Sequence, residues 1–309
     1  MNQDNTVRAS IDIGSNSILL LALDGDLKPI LNEARVTGLG RGLDSTGKFS
    51  EEAMKDSRAV FKYYHSLCVE KNIDPSSVIV TATEASRVAS NSKDFFAEIK
   101  SHFGFDVQII TGKAEAYYST LGVLADEKIK DEFITIMDIG GASTELIRVN
   151  TITREIINSF SMPIGVVRLN SWLKDGVREE KRDQVFELYS DQIREVSCSR
   201  VYCVAGTMTS VGNMHLGHKE FIESDVHGLM IKYKEIDSLF SRYKAVEAAS
   251  ILEEFPFLGK RASTIQSGLY LATSLLSLIG CTEAYISTFG LRYGTILAGG
   301  IEDGFIFKN

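Results

Sequence analysis

Two stretches of this chain carry one pattern. Residues 9–17 read Ala-Ser-Ile-Asp-Ile-Gly-Ser-Asn-Ser, and residues 135–145 read Thr-Ile-Met-Asp-Ile-Gly-Gly-Ala-Ser-Thr-Glu. Each is an apolar run closed by an aspartate, then Ile-Gly, then small hydroxyl or amide residues before a second apolar run. That order predicts a strand ending at a carboxylate, a tight loop rich in backbone N–H groups, and a returning strand. Small residues let N–H groups approach an anion closely, and the aspartate can hold a divalent cation on that anion. Asp12 and Asp138 stand 138 − 12 = 126 residues apart. The chain therefore reads as two related halves facing one phosphate site.

The 309 residues are enough for two domains, and 44% hydrophobic with 24% charged content is that of an ordinary globular protein. A net charge of −8 argues against a general nucleic-acid binder, although a polyanionic substrate needs only a locally basic cleft. Cys68, Cys198, Cys203 and Cys281 form no Cys-x-x-Cys pair and read as reduced thiols. The N-terminal Met-Asn-Gln-Asp-Asn-Thr lacks the basic start and apolar core of a signal peptide. No apolar run approaches the roughly 18–20 residues of a membrane span. The expectation is a cytoplasmic chain with no membrane or nucleic-acid partner.

The first half opens with three strands, Val7–Ile13, Ile18–Asp24 and Ile30–Thr37, whose short connections favour an antiparallel meander. A helix over Ser50–Asn72 follows, with Ser50 as N-cap and Glu51 and Glu52 in its first turn. A strand at Ser77–Thr81, a helix from about Glu84, a strand at Asp106–Ile110 and a helix at Lys113–Ala125 complete an α/β pattern. The second half restarts the plan with strands at Phe133–Ile139, Glu145–Val149 and Glu155–Phe160. Helices at Val166–Leu173 and Glu179–Val196, a strand at Arg200–Ala205, a long helix at Arg261–Ile279 and a strand at Glu283–Ser287 follow. The charged stretch Asp126–Glu132 is the candidate hinge. The expected domains are 1–126 and 127–309, with the closing helix over about 292–309 able to pack on the first.

The residues suited to chemistry gather at these turns. Gly14, Ser15, Asn16 and Ser17 form one candidate phosphate loop and Gly140, Gly141, Ala142, Ser143 and Thr144 the other; taken singly, Asp12 or Asp138 is equally a turn former. Gly206 and Thr207, at a strand-to-helix junction, suit a further phosphate or simply cap the helix. Glu115 starts a helix, where a carboxylate favours the helix dipole whether or not it has another task. Glu145 can point back at a metal on Asp138 or face solvent. Arg87, Arg168, Arg261 and Arg292 are the arginines that could neutralise an anionic substrate, each also readable as a surface charge. His215 and His218 read as a loop, and Trp172, Tyr117 and Tyr118 as packing residues.

Together these segments resemble the exopolyphosphatase/guanosine pentaphosphatase family, of the superfamily of actin, sugar kinases and heat-shock chaperones. Asp12–Ser17 resembles its first phosphate loop and Asp138–Leu146 its second, which also holds the metal. Ala82–Arg87 with Asn91 resembles the segment of a substrate-binding arginine, and Thr111–Ala116 the one whose glutamate is the catalytic base. Met162–Arg168, Ala205–Thr207 and Gly290–Arg292 fit later motifs. The resemblance implies two ribonuclease H-like domains, each a mixed five-stranded sheet with flanking helices, around an inter-domain cleft, in the short two-domain form. It implies Glu115 as base, Mg²⁺ on Asp138 and Glu145, and substrate contacts from Asp12, the two loops, Arg87, Gly206, Thr207 and Arg261. The implied reaction is hydrolysis of the terminal phosphoanhydride of inorganic polyphosphate, or of guanosine pentaphosphate, and the candidate assembly is a homodimer.

The chain departs from that family at several places. Ala142 replaces a glycine, which costs on the order of 1 kcal/mol if the position needs φ > 0. Gly38 and Arg41 stand where arginine and glutamate are usual, Tyr117 replaces a frequent arginine, and Ser263 and Tyr293 replace acids. These departures motivate a reading of another class, a non-catalytic sensor of polyphosphate or a nucleotide; Glu115 argues against it. A sugar or acetate kinase would need both a nucleoside pocket and an acceptor site.

Overall fold

The protein is described by a computed structural model covering residues 7–308. It divides into two units: residues up to Gly122 together with those from Leu291 onward, and Val123–Gly290.

In the first unit, β1 (Arg8–Ile13), β2 (Ser17–Leu23) and β3 (Pro29–Val36) form the expected antiparallel meander. β4 (Ile79–Ala82) and β5 (Val107–Ile109) add parallel strands on the other side of β1, giving the order β3-β2-β1-β4-β5. In the second unit, β6 (Phe133–Ile139), β7 (Thr144–Asn150) and β8 (Glu155–Met162) repeat the meander, and β9 (Arg200–Val204) and β11 (Glu283–Ile286) repeat the parallel strands. This sheet has six strands rather than the expected five. β10 (Met230–Lys232) pairs antiparallel with β11, and its three residues are too short for alternation to reveal them. Apart from that strand the two sheets share one topology, which places each Asp-Ile-Gly loop at the carboxyl end of a central strand. Ligands of α/β sheets gather at such ends.

Each sheet has its own apolar core. Ile11, Ile13, Ile18, Leu20, Phe61, Tyr64 and Phe105 close the first. The helix Glu51–Glu70 is capped by Ser50, which accepts the amide of Ala53, and Tyr64 donates to the Ile18 carbonyl at 2.8 Å. Met137, Leu146, Leu169, Leu269, Ala272 and Leu276 build the second core. Two predicted helices are broken. Glu179–Val196 becomes Arg178–Leu188 and Ser190–Glu195, interrupted at Tyr189. The stretch read as one helix from Arg261 is a 3₁₀ segment, Pro256–Ser263, then a helix over Ile265–Ile279, with non-helical backbone at Gly259 and Thr264. Leu278 on that helix is exposed. All four cysteines are free thiols. Among the described residues, no single helix is long and apolar enough to cross a membrane.

The division differs from the expected border at 126/127, because Asp126–Glu132 is bound into the second unit. Asp131 pairs with Arg200 at 2.6 Å, and its carbonyl accepts the Thr151 hydroxyl. The closing helix, Leu291–Ala298, belongs to the first unit, where Thr295 meets Ser10 at 2.8 Å and Arg292 reaches the Leu20 carbonyl at 2.9 Å. Its fit depends on Gly294. A Cβ there would lie 1.8 Å from the carbonyl oxygen of Tyr118, so one methyl requires backbone to move. Gly294→Ala is expected to lower stability by roughly 2 kcal/mol or more, read as a shifted urea midpoint; an unchanged midpoint would refute this packing.

Candidate active site

The two loops share one hydrogen-bond scheme. Gly14 N–H donates to the Ser17 carbonyl and Gly140 N–H to the Ser143 carbonyl, both at 3.0 Å. Their other carbonyls face protein donors. Ser15 O accepts Gly40 N–H at 2.7 Å, and Asn16 O accepts those of Thr37 and Gly38 at 3.1 and 3.0 Å. In the second unit Gly140 O accepts Val166 N–H at 3.0 Å and Gly141 O accepts Val167 N–H at 2.8 Å; both donors open the helix Val166–Lys174, whose first amides have no intrahelical partner. Arg168 donates to Ala142 O at 2.8 Å. With the carbonyls so engaged, the N–H groups of Ser15 and Asn16, and of Gly141, Ala142 and Ser143, meet no acceptor among the described residues. Such runs of open amides are anion-binding concavities.

Ala142 has no positive φ, so alanine costs no backbone strain there. Thr144 has another task than the rim of the loop: it is fully buried, and its hydroxyl donates to Ile164 O at 2.6 Å. Sequence reasoning missed Gly165 as a support. A Cβ on it would lie 2.5–2.7 Å from the peptide joining Gly141 to Ala142.

The carboxylates differ between the units. Asp138 stands directly across from Glu145 in the β6–β7 ladder, so both side chains share a face of the sheet. Glu145 is 4% exposed and accepts the Ser161 hydroxyl at 2.6 Å. Two acids side by side repel unless a cation joins them. Carboxylate oxygens are the donors a hard divalent ion prefers, and magnesium typically takes one or two of them with water and phosphate completing its shell. No group of three or more His, Cys, Asp or Glu suited to a metal occurs among the described residues; Asp138 and Glu145 are a pair of carboxylates. At the matching place in the first unit Asp12 faces Leu19. One oxygen of Asp12, Oδ1, is buried without a hydrogen-bond partner. Burial pushes its pKa from the ordinary 3.8 up to about 6, moderated by the charge of Arg292.

Glu115 lies in the first turn of the helix Gly112–Val123, which Thr111 caps by accepting the Ala114 amide at 3.2 Å. The glutamate is 8% exposed. Arg87, from the short helix Glu84–Val88 after β4, donates to Glu115 Oε1 at 2.5 Å, to Ile110 O at 2.6 Å and to Glu84 at 2.7 Å. The resemblance implies a substrate contact for Arg87; in the structure its guanidinium binds Glu115 and Glu84. Asn91 likewise serves structure, accepting the Phe49 amide at 2.9 Å.

The third loop joins Gly206, Thr207 and Arg261. A Cβ on Gly206 would lie 2.8 Å from Arg261 Nη2, so the guanidinium rests on that glycine. Thr207 donates to Ile139 O at 3.2 Å, as Thr83 does to Ile13 O at 3.3 Å in the first unit. Ala205 precedes them at φ 68°, a conformation alanine rarely adopts. Arg292 is bound to Leu20 O and Asn32. Tyr117 and Tyr118 pack with Phe305. His215 ends a helix rather than sitting in a loop, and His218 pairs with Asp225 at 3.0 Å.

Asp12 yields a prediction with a definite sign. A carboxyl whose folded pKa is raised binds its proton more tightly in the native state. Its contribution is full below about 4 and is lost as pH rises through about 6, for a total of about 3 kcal/mol. Urea unfolding of wild type beside Asp12→Asn, without divalent ions, should show the variant gaining on wild type between pH 4 and 7. A constant difference would refute the buried, orphaned carboxylate.

Comparison with known proteins places this geometry. The chain is 27% identical, over 96% of its length, to the bifunctional 3-dehydroquinate synthase/phosphatase of Fusobacterium nucleatum, matching 47% of that protein. It is 33% identical over 173 residues to Exopolyphosphatase 2 of Mycobacterium tuberculosis, 52% of this chain and 53% of that one. The chain thus spans about half the length of the curated relatives it matches. Among solved structures, the Ppx/GppA member of Aquifex aeolicus superposes with a TM-score of 0.74 at 27% identity, covering 95% of this chain and 97% of that one. An exopolyphosphatase from Cytophaga hutchinsonii shares the fold at a TM-score of 0.82 and 24% identity, over 96% and 99% of the two chains. The fold is the actin-like one. A model of the Ppx/GppA phosphatase family matches residues 21–299, a span holding the whole second sheet and the residues from Arg87 to Arg261 but beginning after β1 and the 14–17 loop, and the chain belongs to that family.

Proposed function

We propose that this chain hydrolyses the terminal phosphoanhydride of inorganic polyphosphate and releases orthophosphate. The observation that carries the reading is the doubled loop, whose carbonyls are engaged by protein donors and whose amides are left open to an anion. Kinship with Exopolyphosphatase 2 supports polyphosphate as the substrate class.

In this reading the N–H groups of Ser15 and Asn16 and of Gly141, Ala142 and Ser143 bind phosphate oxygens, and Glu115 orients and deprotonates the attacking water. Arg87 fixes Glu115 by a charge-assisted hydrogen bond, so the base keeps one orientation. Phosphoryl transfer proceeds through a loose transition state, so a positioned carboxylate suffices and charge neutralisation matters more than base strength. Arg261, resting on Gly206, supplies a cation for the phosphates. A magnesium ion held by Asp138 and Glu145 would neutralise phosphate oxygens as charge shifts to the leaving group.

Orthophosphate release from long-chain polyphosphate, with guanosine pentaphosphate in parallel, tests the reading. Wild type should release orthophosphate, and the ratio between substrates identifies the preferred one. Glu115→Gln should lose about 10²–10⁴-fold in turnover yet still bind polyphosphate. Retained turnover would remove Glu115 as base. Binding without release by wild type would make the chain a sensor.

The metal has a readout separate from activity. Mg²⁺ at ten times its Kd stabilises by about 1.4 kcal/mol, raising Tm by several degrees in wild type and not in Glu145→Gln. An equal rise in both would refute the site.

A further inference from the structure

The third strand of each unit leads into the same spacing of residues. After β3 comes Gly38-Leu39-Gly40-Arg41, and after β8 comes Gly165-Val166-Val167-Arg168. Both segments engage the carbonyls of their own loop: Gly38 and Gly40 donate to Asn16 and Ser15, and Val166 and Val167 to Gly140 and Gly141. The arginines then differ. Arg168 turns inward to the Ala142 carbonyl. Arg41 is exposed and makes no ion pair or side-chain hydrogen bond among the described residues.

The Arg41 guanidinium nevertheless has a defined place. It lies over Gly38, where a Cβ would come within 2.6 Å of Nη2 and 2.9 Å of Cζ. The backbone beneath is fixed at several points. Arg41 N–H closes a turn on Gly38 O at 2.9 Å, Leu39 is fully buried, and a Cβ on Gly40 would lie 2.8 Å from that of Ser15. Arg261 rests on Gly206 in the same manner in the second unit. A planar cation with five N–H donors thus stands on a turn bonded to the loop whose Ser15 and Asn16 amides are open, and among the described residues no carboxylate pairs with it.

We propose that Arg41 is a specificity-determining residue that binds a phosphate of the polyphosphate chain next to the one held by the 14–17 loop. The substrate class rests on the proposed hydrolysis; the anion site itself does not. A one-phosphate ligand gains little from Arg41, and a chain of three or more phosphates gains most.

The test measures inorganic tripolyphosphate and orthophosphate binding by calorimetry, with Mg²⁺, on Glu115→Gln protein carrying Arg41→Ala, Arg41→Lys or, as a charge control outside the loop, Arg35→Ala. Turnover of polyphosphate is measured on the same changes in otherwise wild-type protein. Arg41→Ala should weaken tripolyphosphate about tenfold and orthophosphate less than twofold, with Lys recovering part of the loss and Arg35→Ala changing neither. The turnover loss should fall on KM rather than kcat, with a flatter salt dependence. Tripolyphosphate affinity unchanged within twofold by Arg41→Ala, or equally weakened by Arg35→Ala, overturns the proposal, as does no tripolyphosphate binding at all. If wild type released no orthophosphate while Arg41→Ala still weakened tripolyphosphate selectively, the hydrolytic reading would fail and the Arg41 site would stand.

Discussion

A loop can bind an anion only if its donors and acceptors are sorted, since every residue brings one N–H and one C=O. In this chain the sorting is done by whatever follows the third strand. Helix amides at Val166 and Val167 and the Arg168 side chain take the carbonyls of the 140–142 loop, and the turn from Thr37 to Gly40 takes those of Ser15 and Asn16. The rest follows from that engagement. It explains why Gly165 and Gly40 stand where a Cβ would strike the loop. It also explains why Ala142 is tolerated, because the loop is held by its neighbours and not by left-handed backbone of its own.

The two units share this scaffold and have diverged in their charges. Opposite the loop aspartate the second unit has Glu145 and the first has Leu19. The first unit instead carries Glu115, held by Arg87 at the ends of β4 and β5. The acids suited to a cation thus belong to one half and the acid suited to a base to the other. Asp12, with its buried and orphaned oxygen, costs the fold stability once it is ionised.

Much of this was legible in the sequence because it is local. The Asp-Ile-Gly loops, the Ser50 cap and Glu115 in a first helical turn depend on neighbours within a few residues. What escaped depends on distance. Arg87 and Glu115 are 28 residues apart, and nothing in either segment names the other as partner. The Thr144 hydroxyl reads as a ligand until the chain brings Ile164 beneath it. β10 is too short for a period, and the break at Thr264 falls between Ala262 and Ile265, whose spacing fits one helix face.

The first unit is made from both ends of the described chain. Besides the Ser10–Thr295 contact, Thr111 and Ile109 exchange backbone hydrogen bonds with Phe305 and Phe307 beside β5. The second unit is one continuous stretch. During synthesis, therefore, Val123–Gly290 can close its core as soon as it leaves the ribosome, while the first sheet waits for a segment made nearly two hundred residues later. Until then β5 and its neighbouring helix lack the hydrogen bonds and the covered flank that the closing segment supplies.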